Sequence, residues 1–226
     1  MTTDYSNPTL EDQIDQFQPD EDNLSIKLNA QKLTDQDMEI IVRHAIEKRQ
    51  CTSLDLQDNE FTARSISILS SALNNNTKLH TLHLHGNRLL DEGIYSLVQT
   101  LMSNNQTLRK LGLNSIGLTD VGAEDLGAML QKNQTLTHLY LQGNDIGDRG
   151  ILYLSGALAK FNTTLEQLEM AENKNISDAS VDKLVEMIKC NRSLKVFDIK
   201  LSGISDQGKA KLQETAESNK DLQFIV

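Results

Sequence analysis

Residues 82–101 have the sequence LHLHGNRLLDEGIYSLVQTL, and residues 139–158 have the sequence LYLQGNDIGDRGILYLSGAL. Both stretches open with two apolar residues separated by one other residue, which is typical of a short strand with one buried face. An Asn follows three residues after the second apolar residue. Apolar residues four apart come next and indicate a helix with one buried stripe. Each stretch therefore predicts one strand followed by one helix.

The same strand–helix unit recurs seven times, at steps of 28 or 29 residues. Its units begin at Ile26, Leu54, Leu82, Leu111, Leu139, Leu168 and Phe197. The Asn that follows the strand is present in four units, as Asn59, Asn87, Asn144 and Asn173. A fixed period of this length predicts a solenoid, in which each unit buries its apolar face against its neighbours.

Polar residues mark both ends of the predicted helices. A Thr or Ser lies where an N-cap belongs in five units, as Thr34, Thr62, Thr119, Ser177 and Ser205. In most units an Asp follows, and a carboxylate in the first turn suits the helix dipole. An Asn ends several helices, as Asn104, Asn105, Asn133, Asn162 and Asn191. Because Asn tolerates the left-handed conformation, we expect these residues to close the helices in that conformation.

The pattern LxLxxNxL…G…L…L…L, repeated in phase, resembles the ribonuclease-inhibitor class of leucine-rich repeats over residues 24–226. Similar repeats occur in the sensor domains of NLR immune receptors, in Ran GTPase-activating protein and in tropomodulin. The resemblance implies an α/β fold, a curved solenoid or partial horseshoe of seven 28–29-residue strand–helix repeats. Strands stack about 4.8 Å apart and helices about 8–10 Å apart. We therefore expect the parallel sheet to line the concave side.

The two ends of the chain differ from the repeats. Residues 1–23 contain seven Asp or Glu and no Lys or Arg. Within them, residues 9–17 begin with the capping box Thr9-Leu10-Glu11-Asp12 and predict a short helix that closes the N-terminal end. We expect residues 24–226 to form the repeat domain. Its last polar helix and residues 222–226 would then be the C-terminal cap.

The charge and cysteine content limit the classes of partner. The chain after residue 23 has 25 acidic and 22 basic residues. This balance argues against nucleic acid and anionic membrane surfaces, which both require basic patches. No apolar stretch approaches the roughly 18 residues of a membrane helix, and the N-terminus lacks the layout of a signal peptide. Only Cys51 and Cys190 are present, so we expect a reduced, cytoplasmic protein, and we expect it to be a monomer.

The solvent-facing strand residues form rows across the predicted concave face, where a partner would contact the solenoid. We predict that a partner protein binds to Asp55, Gln57, His83, His85, Asn114, Tyr140, Gln142, Glu169, Asp198 and Lys200. Tyr140 is the best single anchor, since an aromatic side chain supplies contact area at low entropy cost. The predicted function is a non-enzymatic protein-interaction scaffold or regulator that needs no cofactor.

Three alternatives stay open. His83, His85 and Asp55 could ligate zinc, although a third shared ligand, HExxH and CxxC are all absent, so a polar binding patch is favoured. A GTPase-activating role, implied by Ran GTPase-activating protein, would use a loop arginine such as Arg88, with Arg64 and Arg149 on similar loops. The chain could also be an effector or an innate-immunity-like recognition module. Because GxSxG, GxGxxG and the full phosphate-loop motif GxxxxGK[ST] are absent, we predict that the chain is not an enzyme.

Overall fold

Strands and helices alternate along residues 7–74 and 76–226, which the computed structural model describes. The strands are β1 (Ser25–Lys27), β2 (Ser53–Asp55), β3 (Thr81–His83), β4 (Lys110–Gly112), β5 (His138–Tyr140), β6 (Gln167–Glu169), β7 (Val196–Asp198) and β8 (Gln223–Ile225). The helices are α1 (Pro8–Gln16), α2 (Met38–Ile41), α3 (Ala63–Leu73), α4 (Leu90–Ser103), α5 (Asp120–Lys132), α6 (Asp148–Lys160), α7 (Val181–Cys190) and α8 (Asp206–Glu217). A π-helical segment, Val42–Lys48, continues α2, and a 3-10 turn, Asp178–Ser180, precedes α7.

The strands form one open parallel sheet in the order β1 to β8, each paired with the next along the chain. The α/β repeat fold predicted from the sequence is confirmed. The described residues contain eight strands, one more than the seven predicted repeats. The extra strand, β8, lies in the segment expected to be a cap and pairs with β7, so that Phe197 is opposite Phe224. The apolar alternation is present there as Phe224 and Val226, but Phe224 follows Phe197 at a step of 27 residues, outside the 28–29-residue period of the other units.

The core is one continuous cluster between the sheet and the helices. The middle residue of every strand from β1 to β7 is buried, as are the inward stripes of the helices. Cys51 lies in this cluster, and burial raises the pKa of its thiol to about 12. Interior packing of this kind stabilises the fold mainly by removing Leu and Ile side chains from water.

The helix predicted over residues 9–17 is α1, but its N-cap is not the predicted residue. Its N-cap is Asn7, whose side chain accepts a hydrogen bond from the Leu10 backbone N–H at 3.3 Å. The predicted N-cap, Thr9, instead donates its hydroxyl to the Asn7 side chain at 2.7 Å. The capping-box prediction was wrong because Pro8, which suits the first helical position, shifts the helix start upstream. Of the acidic N-terminal residues, Asp4 lies outside the described residues.

Polar contacts hold α1 against the first repeat. Ile14 and Leu10 are buried in the core. Lys48 Nζ lies 2.7 Å from a carboxylate oxygen of Asp15. The guanidinium of Arg49 donates to the backbone carbonyls of Asp15 and Phe17 and so satisfies the end of the helix.

The first repeat has an irregular helix start. Thr34 was predicted to be its N-cap, but α2 begins only at Met38, and Asp37 precedes it. The Thr34 backbone N–H donates to the Asp37 carboxylate at 2.9 Å, so the two residues close a turn before the helix. This prediction was wrong because Asp37 competes for the role that Thr34 has in the other repeats.

The Asp that opens a helix reaches the following repeat. Asp91 accepts the Thr119 backbone N–H at 2.9 Å, the Thr119 hydroxyl at 2.6 Å and the Gly122 N–H at 3.0 Å. The same bond to the next helix start is made by Asp35, Asp120, Asp148 and Asp178. For the last of these, hydrogen bonds from Ser205 hold the pKa of the Asp178 carboxyl below its ordinary value. The carboxylates therefore join neighbouring repeats, in addition to suiting the dipole of their own helix.

The Asn residues at the helix exits also join repeats. Four of them are buried, namely Asn105, Asn133, Asn162 and Asn191. The Asn105 side-chain amide donates to the Leu73 carbonyl of the preceding repeat at 2.9 Å, and its carbonyl oxygen accepts from the Leu108 N–H at 2.9 Å. None of the four has a positive φ, so the expected left-handed conformation was wrong. The carbonyl that each Asn amide reaches lies at the end of the preceding helix, where it is buried and has no partner within that helix. An Asn side chain can donate to it, which explains the preference for Asn here.

Candidate protein-binding surface

The outward side chains of the sheet define one continuous surface, which we name the sheet face. It comprises the first and last residues of β1–β7 and the second and third residues after each strand, while the residue directly after each strand is buried in the core. Parallel pairing places Asp55, His83, Gly112, Tyr140, Glu169 and Asp198 in one row across it. The other five predicted contact residues, Gln57, His85, Asn114, Gln142 and Lys200, lie two residues further along the same strands. The structure therefore places all ten on one side of the sheet.

Four rings gather at the centre of the sheet face, and we name them the ring cluster: His83, His85, His138 and Tyr140. The Tyr140 ring centre lies 6.4, 6.3 and 6.3 Å from those of His83, His85 and His138. Gly112 makes this possible, since a Cβ on it would lie 2.3 Å from the His85 ring and 2.7 Å from His83 Nδ1. The two histidine rings occupy the space that any other residue on β4 would fill.

Hydrogen bonds fix the tautomers of His83 and His85. The Asn114 backbone N–H donates to His85 Nδ1 at 2.9 Å, so this nitrogen carries no proton. A neutral His85 then holds its proton on Nε2, which faces His83 Nδ1 at 3.2 Å and donates to it. His83 in turn carries its proton on Nε2. Burial and the neighbouring His83 lower the pKa of His85 to about 4, and burial also lowers the pKa of His83.

A His85→Gln variant should lose less stability on acidification than the wild-type protein. The His85 pKa is about 4 in the folded protein, whereas the ordinary pKa of a histidine is 6.5. Between these values the unfolded chain takes up a proton that the folded chain refuses, so His85 destabilises the fold as the pH falls from 6.5 towards 4. The ring is half-exposed, so we expect a difference of about 1 kcal/mol. Urea unfolding of both proteins at pH 7 and pH 4.5 measures it, and equal losses would contradict the tautomer chain.

Carboxylates flank the ring cluster on both sides. Asp55 and Asp58 lie towards the N-terminal end of the sheet, and both oppose the lowering of the His85 pKa. On the other side, Glu169 is the register neighbour of Tyr140. Burial, and then the Glu169 carboxylate, raise the pKa of Tyr140. The uncharged ring cluster therefore lies between two acidic borders.

Two details of the predicted surface need correction. Asp198 is only 8% exposed, because β8 lies beside it and places Ile225 next to it. Its carboxylate accepts the Lys200 backbone N–H at 3.0 Å. Asp198 therefore holds the backbone after β7 in place and offers little exposed area to a partner, so it is not a central contact. The row formed by the first residue of each strand was missed, and it contributes Lys110 and His138. The two-residue period of a strand was the available signal.

The proposed zinc ligands do not converge. Within residues 7–74 and 76–226, no group of three His, Cys, Asp or Glu side chains could hold a metal ion. His85 uses Nδ1 to accept the Asn114 N–H, and its Nε2 faces His83. One Asp55 carboxylate oxygen accepts the Gln57 N–H at 3.0 Å. Both ring nitrogens of His85 and Nδ1 of His83 are therefore engaged with protein groups.

Of the three arginines in the GTPase-activator hypothesis, Arg88 lies on a loop as predicted, whereas the loop prediction for Arg64 and Arg149 was wrong, because they lie in the first turns of α3 and α6. Arg149 lies 3.2 Å from a carboxylate oxygen of Glu124, and its guanidinium stacks over Tyr153 at 5.9 Å. Arg64 and Arg88 are exposed. In the part of the chain that the structure describes, the Arg88 guanidinium has neither a hydrogen bond nor an ion pair. The same part contains no helix with the length and apolar character that crossing a membrane requires.

Two curated proteins with similar sequences come from groups named in the sequence analysis. NACHT, LRR and PYD domains-containing protein 3 of Bos taurus is 35% identical over 147 residues, which are 65% of this chain and 14% of that protein. The ribonuclease inhibitor of Sus scrofa is 31% identical over 159 residues, which are 70% of this chain and 35% of the inhibitor. The chain thus spans about a third or less of the length of these relatives, and the likeness concerns their repeats.

Solved structures and family models agree with this likeness. The structure of leiomodin-1 actin-binding site 2 superposes with a TM-score of 0.56 at 21% identity, covering 70% of this chain and 89% of that one, which shows a shared fold. A leucine-rich-repeat model matches residues 75–98. The model described as the TMOD/LMOD leucine-rich domain matches residues 100–222, more than half of the chain. The protein therefore belongs to the leucine-rich-repeat family, in its TMOD/LMOD branch.

Proposed function

We propose that the chain is a non-enzymatic scaffold that binds a partner protein on the sheet face. The ring cluster carries this proposal. Its four rings are half-exposed and lie outside the apolar core, so the fold does not need them for its own packing. Half-exposed aromatic side chains at the centre of a surface are typical of binding hot spots, since a partner can remove them from water at small entropic cost.

The relatives support a binding role of this kind. One is an inhibitor of ribonucleases by name, and the leiomodin structure is by name that of an actin-binding site. For this chain, actin and ribonucleases are candidate partners to include in a binding assay. The two cysteines are free, one buried and one exposed, which supports a reducing compartment such as the cytoplasm. We expect the scaffold to act as a monomer.

Catalysis has weaker support. A GTPase activator would need an arginine that neighbouring groups hold in position, since positioning supplies much of the rate enhancement. Arg88 lies on an exposed loop and has no such neighbour among the described residues. Arg149 does have neighbours that hold its guanidinium, but these are Glu124 of α5 and Tyr153 of α6. A binding role explains the ring cluster, which an activator working through either arginine would leave unused.

Replacing Tyr140 by Ala should weaken partner binding at least about tenfold, because hot-spot aromatic residues contribute roughly 2 kcal/mol or more. The matched control is Tyr95→Ala, which removes the same side chain from α4, where it is 56% exposed. Immobilised wild-type and variant chains are incubated with lysate of the source cell, and captured proteins are quantified by mass spectrometry. The Kd of each captured partner is then measured with purified protein.

The proposal requires a partner that the wild-type chain and Tyr95→Ala retain and Tyr140→Ala loses. Circular dichroism of both variants excludes a loss of folding as the cause. A partner lost from Tyr95→Ala and retained by Tyr140→Ala would place binding on the helices and would overturn the proposal.

A further inference from the structure

The Tyr140 ring is open to a stacking partner. The planes of the His83, His85 and His138 rings are inclined to it by 40°, 70° and 46°. None of these three rings therefore lies parallel on Tyr140, and the side chain remains half-exposed. A flat group from another molecule can occupy the ring face, as aromatic faces accept planar or cationic groups within about 6 Å.

Two carboxylates of the neighbouring repeat have only neutral partners: Glu169, which is the register neighbour of Tyr140, and Glu172, three residues further along. Glu169 accepts a hydrogen bond from the Gln167 amide, and Glu172 accepts one from the Gln142 amide at 2.9 Å. Among the described residues, neither forms an ion pair with a Lys or Arg. Of the lysines on this face, Lys195 pairs with Glu166 at 3.0 Å, Lys200 lies 3.5 Å from Asp198, and Lys110 pairs with neither Glu169 nor Glu172. Glu169 and Glu172 are thus left without a cationic partner.

The histidines add no positive charge that would oppose a cation here. The bond from the Asn114 N–H to His85 and the contact between His85 and His83 both require neutral rings. Burial also lowers the pKa of the third histidine, His138. The charged groups that face the three histidines are the lysines Lys110 and Lys195 and the carboxylates Asp55, Asp58, Glu166 and Glu169. At neutral pH the ring cluster is therefore uncharged, and carboxylates outnumber lysines around it.

We propose that Tyr140, Glu169 and Glu172 bind an arginine side chain that a partner presents on a basic segment. The guanidinium is planar and stacks on an aromatic face, and its donors form two parallel bonds to a carboxylate. Lysine offers the same charge without the plane or the fork. This inference rests on the proposed function, because it assigns the partner's chemistry to the same face.

The test uses the full chain, labelled with ¹⁵N, and three capped tripeptides: Gly-Arg-Gly, Gly-Lys-Gly and Gly-citrulline-Gly. Citrulline keeps the shape of arginine and lacks its charge. We expect Gly-Arg-Gly to shift the backbone amide signals of residues 138–143 and 167–172 in NMR titrations. Gly-Lys-Gly should bind at least about threefold more weakly, and the citrulline peptide should cause no shift there.

Matched variants separate a local site from general attraction to an acidic protein. Glu169→Gln and Glu217→Gln remove the same charge, the latter from the exposed surface of α8. We expect Glu169→Gln to weaken arginine binding about threefold or more and Glu217→Gln to leave it unchanged. Equal effects of the two variants, equal binding of the lysine peptide, or shifts spread over the whole surface would each overturn the arginine site.

The outcome is distinguishable from failure of the proposed function. If the peptides do not bind at Tyr140 but a captured protein is lost in Tyr140→Ala, the sheet face binds a partner and the arginine inference is wrong. If no captured protein depends on Tyr140, the proposed function fails, whatever the peptides do.

Discussion

Replacing Asn105 by Ala is expected to lower the free energy of unfolding by about 3 kcal/mol, whereas the same change at the adjacent Asn104 should alter it by less than about 0.5 kcal/mol. Asn105 is 2% exposed. Its amide donates to the Leu73 carbonyl, and its oxygen accepts the backbone N–H groups of Thr107 and Leu108. Alanine would leave the Thr107 and Leu108 N–H groups without this partner, and each unsatisfied group costs about 1–3 kcal/mol. The Leu73 carbonyl would lose one bond and keep the one from the Asn76 N–H at 3.1 Å.

Asn104 is a close control because it is the neighbouring residue at the same helix end. Its side chain is exposed and forms no hydrogen bond among the described residues. Both substitutions remove the same atoms and change the unfolded chain alike. Urea unfolding followed by circular dichroism gives the two free energies. Similar losses in both variants would contradict the role assigned to the buried hydrogen bonds of Asn105.

A second pair of substitutions should have opposite signs. Gly122→Ala should destabilise the fold by about 3 kcal/mol, and Gly156→Ala should stabilise it by about 0.5–1 kcal/mol. A Cβ on Gly122 would lie 2.2 Å from the Leu118 side chain and 2.6 Å from an Asp91 carboxylate oxygen. Neither neighbour can move away freely, because Leu118 is buried in the core and Asp91 is bonded to Thr119.

The other glycine has no such neighbours. A Cβ on Gly156 would meet nothing within 4 Å, and the residue lies inside α6, where Ala is the better helix former. Alanine there reduces the entropy of the unfolded chain without straining the folded one. Thermal unfolding of both variants provides the comparison. A stable Gly122→Ala protein would mean that Asp91 is not needed where it caps the next helix.

The strands and the Asn after each strand could be predicted from the sequence because they repeat a rigid local rule. Leu82 and Leu84 had to be buried if residues 82–84 formed a strand, and both are. Asn144 takes the predicted place as well, and it donates to the carbonyls of Leu113 and Leu141 at 2.9 Å. Periodicity predicts which side of a strand or helix faces the core. No further information is needed to predict the burial of such residues.

What could not be predicted depends on contacts between repeats. The exit residue Asn133 was expected in a left-handed conformation, yet its φ is −75° and its amide reaches the Leu101 carbonyl 32 residues earlier. Likewise, the rings of His83 and His85 can lie over β4 only because Gly112 has no side chain. The sequence contains each partner but not their separation across the sheet, so the tautomers and the ring cluster emerged only from the structure.

The bonds that run from one repeat to the next make the solenoid a cooperative unit. Asp91 supplies the helix start of the following repeat, and Asn133 satisfies a carbonyl of the preceding one. Unfolding a single repeat would therefore leave polar groups without partners in both neighbouring repeats. The free energy of unfolding would then be lowered in three repeats at once. Nearest-neighbour coupling of this strength suppresses partly melted intermediates. The sheet face is thereby held as one rigid surface, which lowers the entropic cost when a partner binds across several strands.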